Sequence, residues 1–193
     1  MQTVAVYCGS NPGTDPAFGV ATVALADALA ALNLDLVYGG SHHGLMGQIA
    51  DRMLLLKRSV VGVMPEGLIS WEQAHPDISR LIPVASMHER KQVMADHADG
   101  FIALPGGIGT LEEIFEVISW AQLGVHHKPC AFLNVNGYYD KLIEFLDHSV
   151  TQGLMREKIR SMILLDNDPL RLLSKMKSYC SPVPHQWLNK SQR

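Results

Sequence analysis

Two adjacent carboxylates, Glu112 and Glu113, follow a run of glycines in Pro105-Gly106-Gly107-Ile108-Gly109-Thr110-Leu111. The run tolerates unusual backbone angles and lets a ligand approach the main chain closely. Before it lies a short apolar segment, 101–104, of the kind that forms a buried strand. After it, Leu111, Ile114, Phe115, Ile118 and Ala121 recur at helical spacing. The unit therefore reads as strand, glycine loop, helix N-terminus. Loop amides and the positive end of a helix converge there on a place where an anion can sit. An anion cradle beside an acid points to chemistry on a phosphorylated substrate.

The Glu113 carboxylate has a second reading. Thr110-Leu111-Glu112-Glu113 has the spacing of a capping box, with Thr110 as N-cap and Glu113 reaching back to its amide. By spacing alone the cap is favoured. A dinucleotide fingerprint is absent: the first loop, Gly9-Ser10-Asn11-Pro12-Gly13, lacks G-x-G-x-x-G, and Glu112 stands where a third glycine would follow Gly107 and Gly109. A P-loop is excluded because no Gly-Lys-Ser/Thr triplet occurs.

The elements that must position these residues alternate along the chain. Strands are expected at 3–7, 35–38, 60–64, 81–85, 101–104, 130–135 and 162–165. Helices are expected at 16–32, 45–57, 87–97, 110–123, 139–152 and 169–177, the first opened by Asp15 as N-cap with Pro16 behind it. Residues 66–77 read as loop with a helical turn. Short apolar strands alternating with helices predict an α/β, Rossmann-like, doubly wound parallel sheet with helices on both faces. Residues 1–178 read as one nucleotide-binding catalytic domain and 179–193 as a tail. Ligands of such sheets sit beyond the carboxyl ends of the strands, where the loops at Gly9, Gly39, Ser86 and Pro105 fall.

With 193 residues, 47% of them apolar, the chain can bury a sizeable core. A net charge of −3 gives nucleic acid no basic surface to bind. No stretch has the length of a membrane span, and the N-terminus does not read as a signal peptide. Cys8, Cys130 and Cys180 form neither a disulfide framework nor a metal spacing, which points to the cytoplasm. The histidine pairs His42-His43 and His126-His127 lack any zinc spacing, so no metal is expected.

Several segments resemble the LOG ("Lonely Guy") family of cytokinin-activating phosphoribohydrolases. Pro105-Gly-Gly-Ile-Gly-Thr-Leu-Glu-Glu113 is similar to its PGGxGTxxE motif, and Met87-His-Glu-Arg-Lys91 to its M-H-x-R-K segment. Gly39-Gly-Ser-His-His-Gly-Leu-Met-Gly47 resembles its glycine-rich loop, with Ser41 where the family usually has a third glycine. Trp120-Ala-Gln-Leu-Gly124 and Asn134-Val-Asn-Gly-Tyr-Tyr139 also fit, and the resemblance runs from about residue 4 to 173.

The resemblance implies hydrolysis of the N-glycosidic bond of a nucleoside 5′-monophosphate, AMP or an N6-modified AMP, without a cofactor. It implies Arg90 and Glu113 as the catalytic pair. It implies substrate contacts from Glu72, Arg90, Lys91, Gly106, Gly107, Ile108, Gly109, Thr110, Leu111, Glu112, Glu113 and Ser119. It also implies a homodimer or larger assembly. Together with the glycine loop it favours a catalytic Glu113 over the cap. Such proteins have also been called lysine decarboxylases, but that chemistry normally uses a pyridoxal cofactor on a Schiff-base lysine, and nothing marks a lysine for the role. A nucleotide-binding or carrier module without chemistry is the alternative on the same fold.

Overall fold

The computed structural model describes residues 1–69 and 74–183. Seven strands form one sheet: β1 Thr3–Tyr7, β2 Asp35–Tyr38, β3 Val60–Pro65, β4 Arg80–Val84, β5 Gly100–Ala103, β6 Cys130–Leu133 and β7 Ile163–Asp166. Every pairing is parallel, in the order β4-β3-β2-β1-β5-β6-β7. The helices are α1 Pro16–Ala31, α2 Gly44–Leu55, α3 Glu66–Ile69, α4 Met87–His97, α5 Ile108–Gln122, α6 Asp140–Thr151, α7 Glu157–Arg160 and α8 Pro169–Lys177. A 3-10 turn, Val135–Gly137, links β6 to α6.

Side chains alternate across β1, so one strand feeds two cores. Val4 and Val6 pack with Leu25 and Leu29 of α1, Leu45, Ile49 and Met53 of α2, and Leu172 and Leu173 of α8. Ala5 and Tyr7 pack on the other face with Met94 of α4, Ile114 and Val117 of α5, and Ile143 and Leu146 of α6. The sheet is thus covered on both sides, and its central strands are apolar throughout, as expected.

Most boundaries fall within a residue or two of expectation. Pro83 sits in β4, an edge strand, where a missing ladder donor costs least. The helical turn within 66–77 is α3. The short α7 carries no sequence signal of its own. The departure that matters for the site concerns α5, which starts at Ile108, two residues before the expected Thr110.

Candidate active site

The order of strands reverses between β1 and β5, and the connections that follow these two strands lead to opposite sides of the sheet, to β2 and to β6. A cavity of about 640 Å³ opens at that point. Its walls are the loop from Cys8 to Thr14, the loop from Pro105 to Thr110, Leu45 and Met46 of α2, Met87 and Arg90 of α4, Glu112 and Glu113 of α5, and the side chains of Phe18 and Tyr138. The main chain locks the two loops together. The Gly9 N–H donates to the Pro105 carbonyl at 3.1 Å, and the Leu45 N–H donates to the Gly9 carbonyl at 3.1 Å. The volume lies in the range of small-molecule sites.

The glycine loop is tightly folded. A Cβ on Gly106 would lie 2.1 Å from the Thr110 hydroxyl and 2.9 Å from the Gly9 nitrogen, so no other residue fits there. Thr110 is buried beneath the loop and is the third residue of α5, not its N-cap. Gly107 holds the N-cap position in an extended conformation and offers no side-chain hydrogen bond. The proposed capping box is therefore overturned: with the helix starting at Ile108, Glu113 is its sixth residue, beyond reach of a cap. The first-turn N–H groups of α5 have no intrahelical acceptor, and Gly107, Ile108 and Gly109 line the cavity.

Arg90 reaches the site from α4. Ser86 caps that helix by accepting from the Glu89 N–H at 3.1 Å, while Glu89 accepts from the Ala85 N–H at 2.7 Å. Arg90, in the first turn, is only 6% exposed. Its Nη2 donates to the Gly39 carbonyl at 3.0 Å. A Cβ on Gly39 would lie 2.1 Å from that nitrogen, which explains the glycine after β2. Nη1 meets only the Met87 thioether at 3.8 Å, and Nε is buried without a partner. The guanidinium is thus anchored through Nη2, with Nε left unpartnered, and the residue lines the cavity.

The charge of Glu113 is felt through the cavity floor. Burial pushes the Cys8 thiol far up, and the Glu113 carboxylate adds to the effect. Burial likewise raises the Tyr7 phenol, Glu113 and Glu116 raise it further, and Arg90 opposes them. Both groups stay neutral at working pH, while Arg90, Glu112 and Glu113 line the cavity beside them.

The remaining expected site residues divide. Glu112 lines the cavity, but it accepts from the Lys91 ammonium at 2.5 Å; Glu116 binds the same ammonium at 3.1 Å. Burial would lower the Lys91 pKa, but the two carboxylates outweigh it and hold the group up and protonated. Lys91 does not line the cavity, and among the described residues no lysine does. Leu111, in the first turn of α5, is partly buried and packs against the core on that face of the sheet. Ser119 lies on the exposed face of α5, its hydroxyl donating to the Phe115 carbonyl at 2.8 Å, away from the cavity. Glu72 lies outside the described residues. Ser41 is buried, its Oγ accepts from the His43 N–H at 3.2 Å, and it stays out of the cavity.

Phe18, Met46, Met87 and Tyr138 also line the cavity, and sequence reasoning gave them no part in it. Tyr138, Met46 and Met87 fall within the family-like segments 134–139, 39–47 and 87–91, and that is their signal in the sequence. Phe18 reads as one more apolar residue of α1. Among the described residues, no group of three or more His, Cys, Asp or Glu is placed to hold a metal ion. No helix among them is long and apolar enough to cross a membrane.

Comparison with known proteins bears on this geometry. A family model described as "possible lysine decarboxylase" matches residues 46–176. A probable cytokinin riboside 5′-monophosphate phosphoribohydrolase of Oryza sativa subsp. japonica is 44% identical over 179 residues, 93% of this chain and 73% of that protein. A cytokinin riboside 5′-monophosphate phosphoribohydrolase of Arabidopsis thaliana is 43% identical over 179 residues, 93% and 84% of the two chains. Among solved structures, the molybdenum cofactor binding protein of Rippkaea orientalis has a TM-score of 0.69 at 16% identity, covering 92% of this chain and 96% of that one. The molybdenum cofactor carrier protein of Chlamydomonas reinhardtii also has a TM-score of 0.69 at 16% identity, covering 92% and 99%. At such identity the likeness is one of fold alone.

Proposed function

Because the chain belongs to the LOG family of cytokinin riboside 5′-monophosphate phosphoribohydrolases, we propose that it hydrolyses the N-glycosidic bond of a nucleoside 5′-monophosphate. The products are a free base, adenine or an N6-substituted adenine, and ribose 5-phosphate. One observation carries the reading: an uncapped helix N-terminus and the Glu113 carboxylate line the same cavity at the switch point of the sheet.

The chemistry follows from the bond. Departure of the base leaves positive charge on the ribose, an oxocarbenium-like state. The C1′–N bond breaks with its electron pair on the base; the Glu113 carboxylate stabilises the cation and takes a proton from the attacking water, whose oxygen bonds to the anomeric carbon, and that proton passes through solvent to the base nitrogen, which restores the carboxylate. Arg90 stays protonated at any working pH and is no base; its free donors hold the substrate in register. The first-turn amides of α5 receive the 5′-phosphate, where helix-end polarity favours an anion. Lys91 acts at one remove, by holding Glu112 and so keeping its negative charge from repelling that phosphate.

A Schiff-base decarboxylase would need a neutral lysine at the reacting carbon. Lys91 is ion-paired and outside the cavity, which supports the hydrolase reading. Residues 1–178 would act as one catalytic domain in the cytoplasm. Exposed Ile108 at the start of α5 and Leu123 just past its end suit a homodimer.

The test is incubation with AMP, N6-prenylated AMP and adenosine, with product bases separated by chromatography. Base release from a monophosphate at a kcat/KM orders of magnitude above that for adenosine is expected, since hydrogen bonds to a charged group contribute roughly 1.5–3 kcal/mol each. A nucleotide that binds and returns intact would leave a carrier module; equal rates for AMP and adenosine would remove the phosphate site.

A further inference from the structure

Two consecutive tyrosines reach the glycine loop from the turn after β6. The Tyr139 hydroxyl donates to the Leu104 carbonyl at 2.6 Å in the buried core. The Tyr138 hydroxyl donates to the Gly106 carbonyl at 2.7 Å at the cavity wall. The turn that presents them is itself built. Asn136 takes a left-handed backbone (φ 48°) and donates from its side chain to Asp15, the N-cap of α1, at 3.1 Å. Asn134 accepts from the Tyr139 N–H at 2.8 Å. Phe18 meets the Tyr138 ring edge to face at 5.4 Å, and Tyr139 flanks it at 5.0 Å.

We propose that Tyr138 is a positioning residue for the phosphate-binding loop. The peptide between Gly106 and Gly107 is planar, so anchoring its oxygen fixes the direction of the Gly107 N–H. That N–H belongs to the N-cap of α5, and a glycine pair has little else to hold its orientation. Tyr138 thus sets the loop amides for an anion before one arrives and touches no reacting atom. The inference rests on the hydrolase reading for its substrate, although the loop would be set in the same way for any bound phosphate.

The test is Tyr138→Phe, which keeps the ring against Phe18 and removes only the donor. Kd is measured calorimetrically for AMP, ribose 5-phosphate and adenosine, alongside steady-state kinetics and a melting curve. One neutral hydrogen bond corresponds to about a 3–10-fold change. AMP and ribose 5-phosphate should weaken by that common factor and adenosine by less. KM for AMP should rise while kcat and the melting temperature hold. Unchanged Kd for both phosphates, or an equal loss for adenosine, overturns the proposal. If the wild-type protein binds AMP but releases no base, the hydrolase reading fails, while weaker phosphate binding by Tyr138→Phe still upholds the role of Tyr138.

Discussion

Helix α8 begins at Asp168, whose carboxylate accepts from the Arg171 N–H at 2.8 Å, with Pro169 behind it. Helix α5 has Gly107 as its N-cap, with no side chain to accept anything. Both helices bury an apolar face, Leu172 and Leu173 in one and Ile114 and Val117 in the other. The charges around α8 are also satisfied locally: Asp166 accepts from Arg171 and Lys175 at 2.9 and 2.8 Å. Around α5, by contrast, Arg90 keeps a buried nitrogen without a partner. The same backbone donors are saturated by the protein in one place and left open in the other. The open one lines the cavity at the switch point of the sheet. Helix α2 belongs with α5: its N-cap, His43, makes no side-chain bond, and Leu45 and Met46 line the same cavity.

The comparison breaks most sharply if α5 is given the cap that α8 has. A Cβ on Gly107 meets nothing within 4 Å, and its φ of −90° suits any L residue. Gly107→Asp should therefore fold, with stability within a few tenths of a kcal/mol, since glycine is already a tolerable cap. The new carboxylate would occupy the amides and repel a phosphate. Losing two charge-assisted bonds at about 1.5–3 kcal/mol each should cut kcat/KM for AMP by about 10²–10⁴. Retained turnover would mean that the phosphate binds elsewhere.

A smaller effect is expected from Lys91→Met. Glu112 and Glu116 would lose their shared cation, and one Glu116 oxygen is already buried without a partner. Stability should fall by about 1–3 kcal/mol in urea unfolding. A freed Glu112 charge at the cavity should raise KM for AMP roughly fivefold, as one like-charge contact of about 1 kcal/mol in water would. An unchanged KM would mean that Lys91 serves stability alone.

The smallest effect lies at the other helix. Asp168→Ala removes the α8 cap and should cost about 1 kcal/mol of stability. Turnover of AMP should not change. A parallel loss of activity would mean that the two helix starts are not independent.

Much of this was legible in the chain. Alternating apolar strands and helices identify the parallel sheet because a strand buried on both faces needs no polar side. The glycine run at 106, 107 and 109 marks the cavity loop, where close packing excludes a Cβ at Gly106 and open space surrounds Gly107 and Gly109. Thr110 misled because Thr-x-x-Glu is the pattern of a cap, while its hydroxyl is used beneath the loop. The Tyr138 clasp joins residues 32 apart in sequence, and the Asn136–Asp15 bond joins residues 121 apart. Local pattern carries no trace of such contacts. Lys91 and Ser119 lie in recognisable segments, but their partners, Glu112 and Glu116 for one and Phe115 for the other, are settled only by packing.

The central claim is that Glu113 performs chemistry at the open helix start. Glu113→Gln tests it most directly, because the helix begins at Ile108 and no cap is lost with the charge. The variant should melt at the wild-type temperature and still bind AMP. Its kcat for base release should fall by about 10²–10⁴, the usual loss for a positioned acid–base group. Turnover near the wild-type rate would contradict the account.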